Sequence, residues 1–338
     1  YTSSGDLQRS PQNMSLIMAE TPVKLCLHAP QGLKIATPEQ PHQEHVVLGM
    51  SAAMGAFFMF TVMNMFAKLL SVNHSVIEIA FYRNLIACLP FLILIFAFGR
   101  REILIIRSKP TLVGIRAAIG TLSLVTTFYA YSLMPMADAT ALLFTASLFI
   151  PVLGVIFLKE TVGPYRWAAV AIGFFGVIIM SQPSGEVYTL GIIVCLAAAL
   201  MHATLQIILR YLGRYESTET IAFYFFVVGL FLTALPLPFI AVRPTMAEIP
   251  LLIGVGLSGA AAQWLLTLAF RNAKAAIITV FNYSSIVWAT LFGWMIWNEW
   301  PLPTVMTGAA VVIASNILMI WRESRLGRIS DARFRAKL

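Results

Sequence analysis

Residues 141–179 read ALLFTASLFIPVLGVIFLKETVGPYRWAAVAIGFFGVII, and residues 280–318 read VFNYSSIVWATLFGWMIWNEWPLPTVMTGAAVVIASNIL. Each is a pair of apolar runs split by a short polar stretch that carries a glutamate and, four residues on, a proline. At a shift of 139 residues Gly154 falls on Gly293, Glu160 on Glu299 and Pro164 on Pro303, and further upstream Gly120 falls on Gly259 and Ala130 on Ala269. Earlier in the chain the shift becomes 142: IAFY at 79–82 recurs at 221–224, Leu48-Gly49 meets Leu190-Gly191, Asn64 meets Gln206 and Lys68 meets Arg210. The chain is therefore a tandem repeat, and the three-residue change in shift falls between the second and third apolar runs of each copy.

The runs themselves set the class. Apolar residues make up 59% of the chain and charged ones 11%, and the mean hydropathy is +0.82. A soluble domain is roughly half apolar and a quarter charged, so this is an all-α integral membrane protein in contact with the lipid bilayer. A hydrocarbon core about 30 Å thick takes about 20 apolar residues per helix. Ten such spans are expected, at about 46–70, 75–98, 111–133, 136–158, 164–181, 188–210, 217–241, 247–271, 274–297 and 301–321. Residues 1–45 are polar and aperiodic and read as a disordered cytoplasmic tail, within which Met14 or Met18 is the expected translation start. Residues 323–338 form a basic tail.

Orientation follows from lysine and arginine, which gather on the cytoplasmic side. With the amino terminus inside, sixteen basic residues beyond the first span fall in cytoplasmic loops or the tail, whereas the outer loops hold only Arg243. Ten spans with both termini cytoplasmic, in the inner (plasma) membrane, satisfy this alternation. The net charge of +8 thus reports topology, and no nucleic-acid face is implied. The cysteines, Cys26, Cys88 and Cys195, are far apart and suggest neither a disulfide framework nor a metal site. Signatures of HExxH, P-loop or GxSxG type are absent, so no cofactor and no enzyme activity are expected.

Five spans per copy is an odd number. The copy at 188–322 must then enter the membrane from the side opposite to the copy at 46–181, and inverted repeats with a midplane site between them are the architecture of alternating-access carriers. On the two quoted stretches together with AFYRNLIACLPFLI at 80–93, the chain resembles the EamA-type family of the drug/metabolite transporter superfamily. The second copy departs from the first at Gly173 and Gly176, which have no glycine counterparts. The resemblance implies ten helices in two inverted five-helix EamA-type repeats, with a central cavity lined by spans 1, 3, 4, 6, 8 and 9. It leaves the substrate open.

Polar groups within the bilayer are costly and nominate the site. Arg83 in span 2 keeps its charge and requires neutralisation, by Glu78 or by an acidic substrate. Arg116, one turn from the end of span 3, is expected to snorkel. Thr145 and Phe144 in span 4 align with Ser284 and Tyr283 in span 9, with Asn282 alongside, so each helix offers an aromatic and a hydroxyl at one depth. Asn64 and Gln206 are mirrored amides; Gln263 and Trp264 lie in span 8, and Tyr82, Tyr129 and Tyr131 are further candidates for the cavity wall, with anchoring at the membrane interface as their alternative. Ordinary packing, with hydroxyls bonded to their own helices, is the alternative for the individual Ser and Thr positions. His202, a turn from Gln206, and Asp138 are the candidates for proton coupling.

LKETVGP at 158–164 and WNEWPLP at 297–303 fall on opposite faces of the membrane in this topology. Pro164 and Pro303 suit the first helical turn, and the glutamates suit the positive end of the helix dipole. Topology also pairs Glu160 with Arg210 on the inner face and Glu299 with Lys68 on the outer, as two gates. The expected function is secondary transport of a small organic metabolite, with an amino acid or amino-acid-like solute favoured over hydrophobic drugs, vitamins or nucleotide-like solutes, and over a non-transport scaffold. Coupling to protons or a counter-solute, and association into a homodimer, are compatible with it.

Overall fold

The computed structural model describes residues 46–335 apart from 108, 159–162, 181–188, 213–214 and 273–274. The tail expected at 1–45 and the loop holding Glu160 lie outside the described residues. Among those described, every regular element is helical. The helices are α1 (Val46–Leu70), α2 (Val76–Phe96), α3 (Pro110–Leu133), α4 (Met136–Leu143), α5 (Ala146–Leu158), α6 (Pro164–Met180), α7 (Thr189–Leu212), α8 (Thr218–Ala234), α9 (Leu237–Ile240), α10 (Ile249–Asn272), α11 (Ala275–Asn282), α12 (Ser284–Trp297) and α13 (Pro303–Arg335). A 3₁₀ turn at Arg101–Leu104 precedes α3.

Six apolar helical stretches are long enough to cross a membrane, and Trp167–Met180, Glu219–Ala234 and Pro303–Met319 are shorter apolar helices. One of the six, Met136–Phe157, combines α4 and α5. The protein is thus an all-helical, multi-pass membrane protein. Helix α13 runs on to Arg335, past the expected end of the last span at 321.

Local sequence explains where the helices begin. Ser75 caps α2, its hydroxyl accepting from the Ile77 N–H at 3.4 Å, and Ser217, its partner at the 142-residue shift, caps α8 by accepting from the Thr220 N–H at 3.1 Å. Pro110, Pro164 and Pro303 open α3, α6 and α13, where the missing N–H has no intrahelical acceptor to lose.

Two helices are broken at matching places. Between α4 and α5 the chain tightens at Phe144-Thr145, with Thr145 N–H on the Leu142 carbonyl and Leu148 N–H on the Thr145 carbonyl. Between α11 and α12 it tightens at Tyr283, with Tyr283 N–H on the Val280 carbonyl and Ile286 N–H on that of Tyr283. These are i to i+3 bonds, the 3₁₀ form of the turn. Phe144 and Tyr283 lie 139 positions apart in sequence, and their rings meet edge to face with centroids 5.1 Å apart.

The packing repeats as the sequence does. Helix α1 packs on α10 and α7 on α3; α2 packs on α10 and α8 on α3; α1 packs on α12 and α7 on α5, while α2 meets α8 and α6 meets α13. Exchanging the chain before residue 181 with the chain after 188 carries this set onto itself. Helices α6 and α13 approach most closely at glycines. A Cβ on Gly308 would stand 2.5 Å from the Gly176 carbonyl oxygen, and one on Gly176 would stand 2.8 Å from that of Gly308. Without water to drive association, such close backbone approach is how helices gain contact in lipid.

Candidate functional site

The helices enclose a cavity of about 420 Å³. Its wall draws on the expected spans, through α1, α3, α4, α5, α7, α10, α11 and the Tyr283 break, and additionally on α2 and α8 through Arg83 and Phe225. Much of the wall consists of repeat-related pairs: Phe60 with His202, Met63 with Leu205, Asn64 with Gln206, Leu124 with Gln263, Leu143 with Asn282, and Phe144 with Tyr283. Apolar and aromatic walls with a few placed amides suit a small organic solute.

Arg83 and Phe225 form one more such pair, since IAFYR in the first copy becomes IAFYF in the second. The Arg83 guanidinium lies over its own repeat partner, 5.2 Å from the Phe225 ring centre, and 4.8 Å from that of Phe226. Glycines make room on both sides. A Cβ on Gly259 would come within 3.1 Å of Arg83 Nε, and one on Gly120 within 2.9 Å of the Phe225 ring. These two glycines are themselves repeat-related, so each copy backs the other's residue with a glycine.

Arg83 is 2% exposed and donates from Nη1 to Asn84 Oδ1 at 2.9 Å. Glu78 is not its partner, contrary to one of the two expectations. That carboxylate faces His74 Nδ1 at 3.1 Å and accepts from the Val242 N–H at 3.4 Å. Arg116 does not snorkel. Its guanidinium turns into the cavity wall, 4.9 Å from the Phe225 ring centre, with Nε and Nη1 buried and without hydrogen-bond partners among the described residues. Its orientation depends on helix rotation, which nearness to a helix end does not fix.

Of the other candidates, Asn64, His202, Gln206, Gln263, Asn282 and Tyr283 line the cavity, whereas Tyr82, Tyr129, Thr145, Trp264 and Ser284 are not part of its wall. Tyr129 and Trp264 are exposed on outer helix faces. Tyr82 packs on Phe81, and the Thr145 hydroxyl is buried in the α4–α5 break. The Ser284 hydroxyl donates to the Phe281 carbonyl on its own chain at 2.7 Å, as the packing alternative expects.

Lys68 and Glu299 meet. Lys68 Nζ donates to Glu299 Oε1 at 2.7 Å and Oε2 at 2.8 Å, and to the Met134 carbonyl at 3.1 Å, while Glu299 Oε2 also accepts from the Met136 N–H at 3.2 Å. All three ammonium protons are used. The contact fastens the end of α1 to the α3–α4 turn and the α12–α13 connection. WNE at 297–299 divides the work of building it. Trp297 presents its ring 4.7 Å from Lys68 Nζ. Asn298 takes the left-handed conformation (φ 55°) that ends α12, with its N–H on the Trp294 carbonyl and that of Glu299 on Gly293. Asparagine tolerates this conformation better than most residues, and the reversal brings Glu299 to Lys68. The Glu160 and Arg210 side chains lie outside the described residues.

A second polar cluster stands at the same end. His74 Nε2 is 3.3 Å from Glu248 Oε2, Asn73 Nδ2 donates to Glu248 Oε1 at 2.8 Å, and the Thr245 N–H and hydroxyl donate to Oε2 at 2.8 and 2.7 Å. The Thr245 backbone and hydroxyl bonds, followed by that of Asn73, hold the Glu248 carboxyl down at about 2. At the other end Arg100 meets Glu219 at 3.4 Å and Lys109 the Tyr211 hydroxyl at 3.0 Å, both exposed, while the buried Glu216 accepts from the Arg107 N–H at 3.1 Å. On α7 the wall runs from His202 to Leu209, toward that end, and on α3 from Arg116 to Tyr131, most of the helix, whereas Lys68 and Glu299 are not part of it.

An all-helical membrane protein with broken helices around an aromatic-walled cavity has the form of a small-solute transporter. The sequence profile of the EamA-like transporter family matches residues 47–182 and again 189–321, and the chain belongs to this family. It is 29% identical over 274 residues to the pseudopaline exporter of Pseudomonas aeruginosa, covering 80% of this chain and 95% of the exporter. It is 26% identical over 248 residues to the S-adenosylmethionine uptake transporter of Rickettsia bellii, covering 73% and 84%. A solved crystal structure superposes with a TM-score of 0.55 at 18% identity over 80% of this chain and 98% of its own, which shows a shared fold. The relatives named for a solute are metabolite transporters, and small-metabolite transport is the function that the family supports for this chain.

Proposed function

We propose that the protein is a secondary transporter that moves an amino acid or amino-acid-like solute across the inner membrane by alternating access. Two inverted five-span halves, at 46–181 and 188–322, rock about the cavity, with both termini cytoplasmic. The observation that carries this reading is the cavity walled by repeat-related pairs, with the Lys68–Glu299 contact beyond its wall at one end. A packing pattern unchanged by exchange of the halves supports it further. So does S-adenosylmethionine, the solute in one relative's name, which is itself an amino-acid derivative.

In this reading Lys68–Glu299 is the closed outer gate and Glu160–Arg210 its inner counterpart. Asn64, Gln206, Gln263, Asn282 and Tyr283 contact the solute. Purified protein in proteoliposomes is expected to exchange a labelled amino acid or derivative from a broad panel, and Glu299→Gln is expected to lower the exchange rate. Failure to exchange any member of the panel, in protein shown to be folded, contradicts the reading. The aromatic wall of Phe57, Phe60, Phe144 and Phe225 also suits a hydrophobic drug, and exchange confined to apolar members of the panel would select that alternative.

A further inference from the structure

We infer that the cavity takes an organic acid with net negative charge, an acidic amino-acid-type solute or a short dicarboxylate, held between Arg83 and Arg116. This deepens the transport reading and rests on it for the solute's being carried, while binding tests it alone. Both arginines are among the residues that line the cavity, and no aspartate or glutamate is among the described wall residues. Neither arginine has a carboxylate partner among the described residues: Glu78 faces His74, and Glu299 faces Lys68. Arg83 Nε and Arg116 Nε and Nη1 are buried donors with no acceptor among the described residues.

Buried charges are ordinarily paired, and the ring faces of Phe225 and Phe226 substitute only weakly for an anion. The two guanidinium carbons lie 5.2 and 4.9 Å from the centre of the same Phe225 ring, which puts them no more than 10.1 Å apart, a separation that a short diacid spans. A neutral zwitterion brings one carboxylate for two arginines, whereas an acid with a second carboxylate brings one for each.

The repeat supplies an independent argument. At the positions matching Arg83 and Arg116, the second copy has Phe225 and Val255. The scaffold is built there from apolar side chains, so folding does not require cations at these positions. Their cost is borne by one copy alone, as expected for groups that meet a ligand.

The test uses the full chain in lipid nanodiscs, titrated calorimetrically at constant ionic strength with three acid and amide pairs: glutamate and glutamine, aspartate and asparagine, succinate and succinamate. At least one acid is expected to bind tenfold or more tightly than its amide. Arg83→Gln and Arg116→Gln are each expected to weaken that acid about tenfold and to weaken its amide, which has one carboxylate fewer, by less, so that the acid preference shrinks. Arg83→Lys and Arg116→Lys, which keep the charge and lose the planar fork, should fall between and control for folding. No acid preference in any pair, or a preference surviving both glutamine variants, overturns the inference. An acid that binds in this way but is not carried by proteoliposomes sinks the transport reading and leaves this one standing. A neutral or cationic solute carried equally well by wild type and both glutamine variants does the reverse.

Discussion

The two copies of the repeat share a scaffold and differ in chemistry. Serines cap α2 and α8 at matching positions, prolines open α6 and α13, and 3₁₀ turns break the chain at Phe144-Thr145 and Tyr283. Within that frame the first copy lines the cavity with Arg83 and Arg116, where the second has Phe225, also in the wall, and Val255, which is buried in the apolar core. Symmetry thus resides in the caps, breaks and helix packing, and the two arginines are where the copies differ in charge at the cavity.

Disturbing the seam where α6 of one copy meets α13 of the other is expected to cost most. Gly308→Val sets a side chain against the Gly176 backbone carbonyl, which cannot swing aside as a flexible side chain would. Overpacking costs about 1–3 kcal/mol where neighbours can yield and more where they cannot. Nearly complete loss of monodisperse protein is expected on size-exclusion chromatography. Arg83→Gln comes next, since it spares the scaffold and strips half the cationic charge of the two-arginine wall. Uptake at subsaturating acid should fall about ten- to a hundredfold, each factor of ten being about 1.4 kcal/mol.

Phe225→Leu, the matching change in the second copy, removes the ring beneath both guanidinium groups, a contact of about 0.5–2 kcal/mol. A two- to thirtyfold loss of uptake is expected. The double variant Arg83→Phe with Phe225→Arg moves the charge to the opposite copy and sharpens the comparison. If the cavity reads charge from either side, uptake should recover severalfold over Arg83→Phe alone.

The smallest effect concerns Glu248. Its carboxyl is held at about 2, below the ordinary 4.5, so its hydrogen bonds stabilise the fold above about 4.5 and that contribution is lost as pH falls toward 2. Thr245→Ala should lower the thermal midpoint slightly at pH 7, and the difference should shrink as the pH drops through that window.

The fold was largely legible because its signals are local or periodic: apolar runs, caps, prolines and two constant shifts. Mirrored residues such as Asn64 and Gln206 were legible for the same reason. What escaped was helix rotation. Tyr129 and Tyr131 are two residues apart, yet one faces outward and the other lines the cavity; Arg116 turned inward where its depth suggested snorkelling. Phe225 could have been found by asking which residue the repeat sets opposite Arg83. The partner of Glu299 was nominated by topology and lies within hydrogen-bond reach of it, although 231 residues separate Lys68 and Glu299 in the chain. Whether that contact gates the cavity is a question of motion.

Distance distributions across the contact address it most directly. Spin labels at Val72→Cys and Trp300→Cys, both exposed positions flanking Lys68 and Glu299, would be read by pulsed electron resonance in nanodiscs on a background free of the native cysteines. The account predicts a short-distance population in the parent protein and a shift to a longer, opened population on Glu299→Gln. An unchanged distribution, with the variant folded, would contradict the claim that this ion pair holds one mouth of the cavity shut.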